Sequence, residues 1–230
     1  MKKIALILTV VLSTLLINQV NAQGFKLGLS ASPSMAWFKS ETENYESEGL
    51  RFGFSYGLLS EFILAEQYTF ATGINISYFG GRLTFPYGND QENGPAVASK
   101  ERTYRLQNLE VPFTLKMKTR EIGYNTYFAR FGFGGSVNLR AKGDDKFLAD
   151  GGNQTHSLMD IDIKDDIPLF RISMIVGIGF EHSLGGTTAL VAGVNFNNGF
   201  TNILKGKDWK EERNQQARAN FLELSLGIIF

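Results

Sequence analysis

Glu181, His182 and Ser183 stand side by side near the end of the run FRISMIVGIGFEHSLG, and an acid, an imidazole and a hydroxyl are the groups that build a nucleophilic triad. The run has a strand pattern, and consecutive strand side chains point to opposite faces. The trio therefore cannot converge without distorting the backbone, and it reads as a strand end. His156 is the only other histidine, and with no cysteine in the chain it lacks companions for a metal site. Oxygen ligands are denser in MDIDIKDD, where Asp160, Asp162, Asp165 and Asp166 follow Asp144, Asp145 and Asp150. Calcium prefers such ligands, but the spacing lacks the glycine and distal glutamate of a calcium-binding hand, so a solvated acidic loop is expected. GIG at 177–179 lies inside a strand pattern and opens no helix, so it is not a nucleotide fingerprint. Asn153-Gln154-Thr155 has the acceptor pattern for N-glycosylation, which marks exposure. The expectation is a chain with no catalytic residue, no cofactor and no metal.

Other charges sit singly inside apolar segments: Glu61, Glu110, Lys116, Arg130, Arg171, Glu181 and Glu223. A charge among apolar neighbours must be paired or given a face of its own, so the elements that carry these residues decide what they do. Apolar side chains recur at every second position in eight segments, at 25–31, 52–64, 68–78, 109–117, 127–139, 170–180, 188–196 and 222–230. Ser60 and Gly135 are interruptions. Period two of this length predicts β-strands, of the roughly 9 to 11 residues that a tilted strand needs to cross a bilayer.

The connections alternate too. Short turns are expected around Ala65 to Gln67, Thr119 to Gly123 and Leu184 to Gly186, while residues 39–49, 86–102, 141–167 and 201–217 are long and polar. Short turns at one end and long loops at the other are the asymmetry of an outer-membrane barrel. The face opposite the apolar one collects the seven charges together with most strand glycines, among them Gly53, Gly57, Gly73, Gly132, Gly134, Gly177, Gly179 and Gly193. A water-facing surface gains nothing from glycine, which weakens strands and permits close backbone approach. An eight-stranded barrel encloses space only for side chains, so many must be small if a few Arg and Glu are to fit.

Energy agrees, since Arg or Lys facing lipid at mid-membrane costs about 2–4 kcal/mol each. The prediction is an eight-stranded antiparallel up-and-down transmembrane β-barrel. Its side-chain-filled lumen holds the four glutamates against Lys116, Arg130 and Arg171 as an ionic plug. Arg140 is also assigned to the inner face, and Pro112 is expected to cause a bulge. Phe128, Leu169, Ile175, Val191, Phe221 and Ile229 share the inward parity, and rims or bulges are expected to account for some of them. A lipocalin-like barrel and a β-sandwich are the soluble alternatives; both would turn the glycine face to water.

Met1, Lys2 and Lys3, the apolar stretch 4–17, and Val20-Asn21-Ala22 have the three parts of a secretory signal peptide. Residues 1–22 are read as that leader and 23–230 as the barrel domain. With 23 basic and 23 acidic residues in the chain, there is no electrostatic case for nucleic acid. No stretch of the mature chain is apolar for the length of a spanning helix.

NLEVPFTLKMKT (108–119), YFARFGFGGSVNL (127–139), DIPLFRISMIVGIGFEHSLG (166–185) and the terminal LELSLGIIF resemble the PorT-like family of outer-membrane β-barrels of Bacteroidetes-type bacteria. The Leu-Glu-Val-Pro-Phe-x-Leu-Lys strand at 109–116 is the most specific part. The resemblance implies a barrel in the outer membrane of a Gram-negative envelope, among outer-membrane lipid and lipopolysaccharide. Phe230 resembles the terminal aromatic by which the barrel assembly machinery recognises its substrates. The expected work is structural or loop-mediated contact in the envelope. A secretion component or adaptor of the PorT-like kind, or a lipid-modifying barrel enzyme, are the alternatives; an envelope or secretion partner would engage the long loops.

Overall fold

The structure is a computed structural model that describes residues 24–87, 99–149, 153–206 and 214–230. The expected leader, residues 1–22, lies outside the described residues. The strands are β1 (Phe25–Ser40), β2 (Glu46–Ser47), β3 (Arg51–Ala65), β4 (Tyr68–Pro86), β5 (Ser99–Lys118), β6 (Asn125–Leu148), β7 (Gln154–Asp162), β8 (Phe170–Gly185), β9 (Thr188–Gly199) and β10 (Ala217–Ile229). Neighbours run β4-β3-β1-β10-β9-β8-β6-β5, and pairing of β5 with β4 closes the ring. All pairings are antiparallel, so eight strands form a closed barrel, with β2 laid on β4 and β7 on β6. Closure leaves no unpaired edge in hydrocarbon, where an unsatisfied backbone group costs several kcal/mol.

The faces follow the alternation. On β8, Ile172 and Ile178 are 51% and 67% exposed on the outside, while Arg171 and Glu181 are 5% and 6% exposed within. The inward glycines let strands approach side chains and backbone closely: a Cβ on Gly57 would lie 2.1 Å from the Ile74 carbonyl oxygen, and one on Gly177 2.1 Å from Asn195 Oδ1. At the short-turn end, β8 and β9 are joined through Gly185 and Gly186, whose φ values of +104° and +62° suit residues without a Cβ.

Four expectations are corrected. Residues 141–167 are not one loop: β6 continues to Leu148, and β7 folds back along it as a hairpin. The loop expected at 86–102 likewise yields residues 99–102 to β5. Pro112 causes no bulge; its missing N–H interrupts the ladder to β4, but the register is the same on either side, from Thr72↔Phe113 to Asn75↔Glu110. The register shift lies at Leu139 instead, between Gln107↔Arg140 and Asn108↔Asn138. That extra residue turns Arg140 outward to an exposed position and turns Ala141, Gly143, Asp145 and Phe147 inward.

The lumen changes character along its axis. Phe128, Ala189, Val191 and Ile229 form a small apolar floor at the short-turn end. Polar and charged side chains fill the middle. At the long-loop end a larger cluster includes Phe38, Phe79, Leu83, Tyr104, Leu106 and Phe221, with Ile163, Ile167, Ile203 and Leu204 from the loops seated on it. Phe128, Ile175, Val191, Phe221 and Ile229 are thus buried inside the barrel, whereas Leu169 is exposed.

Candidate functional site

The densest charge lies just above the floor. Lys116 of β5, fully buried, donates from Nζ to Glu61 Oε1 of β3 at 2.7 Å and to Glu181 Oε1 of β8. Lys118, next on the same face of β5, reaches Glu61 Oε2 at 3.0 Å and Glu181 Oε1 at 2.8 Å. Two acids and two bases form a four-cornered network across the lumen. The Phe128 ring covers it, with Lys116 Nζ 4.1 Å from the ring centroid. Lys118 is a member that sequence reading missed. Its parity matched Lys116, but its place at the strand end concealed its part in the network.

One layer up, Arg171 Nη1 lies 3.7 Å from Glu110 Oε2, and its Nη2 donates to Asn197 Oδ1 at 2.7 Å and the Ala219 carbonyl at 3.1 Å. Phe79 and Phe221 flank the guanidinium, with ring centroids 5.3 and 5.4 Å from Cζ. Glu223 accepts from Ser55 Oγ at 3.0 Å and Asn195 Nδ2 at 3.3 Å. Arg130 Cζ lies 5.0 Å from the Phe128 centroid, and its Nε is buried without a hydrogen-bond partner. Among the described residues neither Arg130 nor Glu223 has an ion pair, so the structure joins Glu61, Lys116 and Glu181, joins Glu110 and Arg171, and leaves the remaining two of the seven apart. Between these layers lies a cavity of about 40 Å3, lined by Ser55, Asn75, Ser77, Glu110, Arg130 and Glu223 among others. That is room for a few waters at most.

The residues that invited chemistry do not converge. Glu181 faces the lumen, while His182 Nδ1 lies 2.9 Å from Asn125 Oδ1 and the Ser183 N–H donates to the Tyr124 carbonyl. His156 stacks on Phe147 at 4.0 Å. Four of the acids of 141–167 face cations, while Asp162 accepts from the Lys164 backbone N–H: Asp145 accepts from Lys100 at 2.6 Å and from Arg102 Nε and Nη2 at 2.6 and 2.8 Å, and Asp166 accepts from Arg102 Nη1 at 2.8 Å. Asp144 meets Arg105 at 2.9 Å, and Asp160 meets Lys142 at 3.0 Å and Arg105 at 3.2 Å. Asp150 lies outside the described residues. Among the described residues no three metal-ligating side chains come together.

These contacts sit on a crown formed by β5 before Gln107, β6 beyond Leu139 and β7, where Tyr104, Leu106, Ala141 and Phe147 turn inward and Arg105, Arg140 and Lys142 turn outward. In the crown, burial pushes the Asp145 carboxyl up, but the Arg102 fork and Lys100 outweigh it and hold Asp145 below the usual carboxylate range. Burial pushes the Lys100 ammonium down against the pull of Asp145, so Arg102 is the principal clamp.

Residues 19–205 match the outer membrane protein beta-barrel domain family. Among solved structures, Neisserial surface protein A (NspA) is 14% identical, with 88% of this chain and 95% of that chain covered and a TM-score of 0.40. OprG from Pseudomonas aeruginosa is 8% identical, with 90% and 96% covered and a TM-score of 0.43. The outer membrane protease OmpT from Escherichia coli is 10% identical, with 91% and 97% covered and a TM-score of 0.43. No curated protein matches the chain.

Proposed function

The chain belongs to the outer membrane protein β-barrel domain family and resides in the outer membrane, and from that premise we propose that it is a non-conducting, non-enzymatic envelope protein that acts through its crown. The observation that carries this reading is the filled lumen. Lys116, Lys118, Glu61 and Glu181 bridge β3, β5 and β8 across the interior, and Phe38, Phe79, Tyr104 and Phe221 pack the mouth above them. A hydrated path would have to break both layers, whereas open channels need around 16 strands. The divergence of Glu181 and His182 removes the support for a lipid-modifying enzyme at that rim.

Refolded mature protein in a planar bilayer is expected to give no steady conductance; a steady ohmic current would overturn the reading. The outer-membrane lipid, lipopolysaccharide and the assembly machinery that meets Phe230 are its proposed surroundings. Phe230 is exposed and is tied by both backbone groups to Leu27.

A second reading, an adaptor in protein secretion of the PorT-like kind, is favoured by the Leu-Glu-Val-Pro-Phe-x-Leu-Lys strand and by the ordered crown, which offers a fixed surface to an envelope partner. Mild crosslinking in cells followed by purification separates the two readings. One reproducible partner held through the crown supports the adaptor; none supports the stand-alone barrel.

A further inference from the structure

We propose that the outer wall, just above the lipid band, carries a site for the phosphate-bearing headgroup of an outer-leaflet lipid. This rests on reading the chain as an outer-membrane barrel and adds a specific ligand site to it. The β3–β4 ladder ends at Phe54↔Tyr78, and the next outward position on β4 is Gly80, which has no side chain. The wall is hollow there. A groove of about 360 Å3 opens across β3 to β6, within the roughly 300–1,000 Å3 of small-ligand sites.

Arg51, Arg105, Arg140 and Lys142 line it against Asp160 and the neighbouring Asp144, and Glu48 and Arg82, which share the adjoining pocket with Arg51, cancel each other, which leaves a surplus of two positive charges. Arg105 and Lys142 are engaged by those aspartates, whereas Arg51 and Arg140 have no carboxylate within ion-pair distance among the described residues. One lip is apolar and aromatic. Phe52 is 89% exposed, the most of any large apolar side chain described, and Tyr78 stands beside it with its hydroxyl accepting from Gln107 Nε2 at 3.1 Å.

Cations beside an exposed ring match an amphiphile whose chains run along the band and whose phosphate enters the groove. A free anion in water would use the cations and leave Phe52 without purpose. At the membrane boundary water is depleted, so guanidinium–phosphate pairing is stronger than on an open surface. The Leu139 bulge is what brings Arg140 here: without it that side chain would point into the lumen.

The test is native mass spectrometry of the mature chain in detergent, titrated with diphosphoryl lipid A, with inorganic phosphate as competitor. One lipid is expected to be retained. Arg51→Gln/Arg140→Gln should weaken it by about 30-fold, at roughly tenfold or less per interfacial cation, and Arg51→Lys/Arg140→Lys should recover most of that loss. Equal retention by the Gln variant and the wild type overturns the proposal, as does full displacement of the lipid by millimolar inorganic phosphate. Heat-modifiable gel mobility reports folding of each variant. If the double Gln variant does not fold, Gln107→Glu, which puts a carboxylate into the groove, decides: undiminished retention overturns the site. Conductance of the same samples is read separately, so a leaky barrel would fail the sealed-lumen reading without touching the lipid result.

Discussion

Replacing Lys116 by Met removes the most enclosed cation of the lumen while keeping an unbranched apolar stem one atom shorter. In the wild type, Glu61 and Glu181 share Lys116 and Lys118, a neutral set of four whose side chains are at most 10% exposed, so solvent screening is slight. Met at 116 leaves two buried carboxylates on one ammonium. Breaking a buried pair costs about 3–5 kcal/mol; because Lys118 still reaches both acids, the lower end of about 3 kcal/mol is expected. Adding Glu61→Gln restores neutrality, with Lys118 and Glu181 left as a single pair at 2.8 Å. The double variant should therefore be more stable than Lys116→Met alone, by about 2 kcal/mol, as sites in one network couple by 0.5–3 kcal/mol. Urea unfolding in micelles, followed by heat-modifiable mobility and tryptophan fluorescence, measures all corners of the cycle. A loss under about 1 kcal/mol for the single variant, or strict additivity in the double, would refute the four-membered network.

Further expectations concern other layers. Arg130→Leu should lower the urea midpoint less than Glu181→Leu, because Arg130 lacks an ion pair among the described residues while Glu181 holds two; the reverse order would contradict the geometry. Gly81→Val should cost about 1–3 kcal/mol by overpacking, since a Cβ there would lie 2.3 Å from the Phe38 ring, and pairing it with Phe38→Ala should recover part of the loss if that contact is the cause. Asp145 has a folded pKa below its unfolded one, so its clamp contributes fully above about pH 4 and fades as pH falls through the lowered value. Hydrogen exchange of 141–162, corrected for intrinsic rate, should rise below about pH 4 in the wild type and already be raised at pH 6 in Asp145→Asn. A flat wild-type profile would remove the clamp.

The barrel was legible because lipid and lumen make opposite demands on alternate residues. Between Phe170 and Phe180 the alternation told the faces apart, and the inward glycines told which face was inside. The crown was not legible for the same reason. Past the bilayer the outside is water, so apolar residues belong within. On β4 the apolar parity changes in the sequence itself, from Tyr78 outward to Phe79 and Leu83 inward. On β6 it does not: odd positions are apolar from Tyr127 through Phe147 with few exceptions, and one extra residue at Leu139 exchanges the faces instead. Period counting alone cannot distinguish a strand that stays in lipid from one that leaves it through a bulge. The alternating cations Arg140, Lys142 and Lys146 were the available hint, since so many charges could not all fit a narrow lumen. Lys118 and the pairing of Arg102 with both Asp145 and Asp166 depended on which strands are neighbours, which the sequence order of β5, β6 and the β7–β8 connection does not state.

The fold-back of β7 along β6 also shapes how the cell exterior meets this protein. Arg105 of β5, Asp144 of β6 and Asp160 of β7 come from three separate stretches of chain yet abut on the outer face of the crown. An antibody or phage that grips this patch must recognise a conformation, so short synthetic peptides copied from residues 141–167 would make poor immunogens against the living surface.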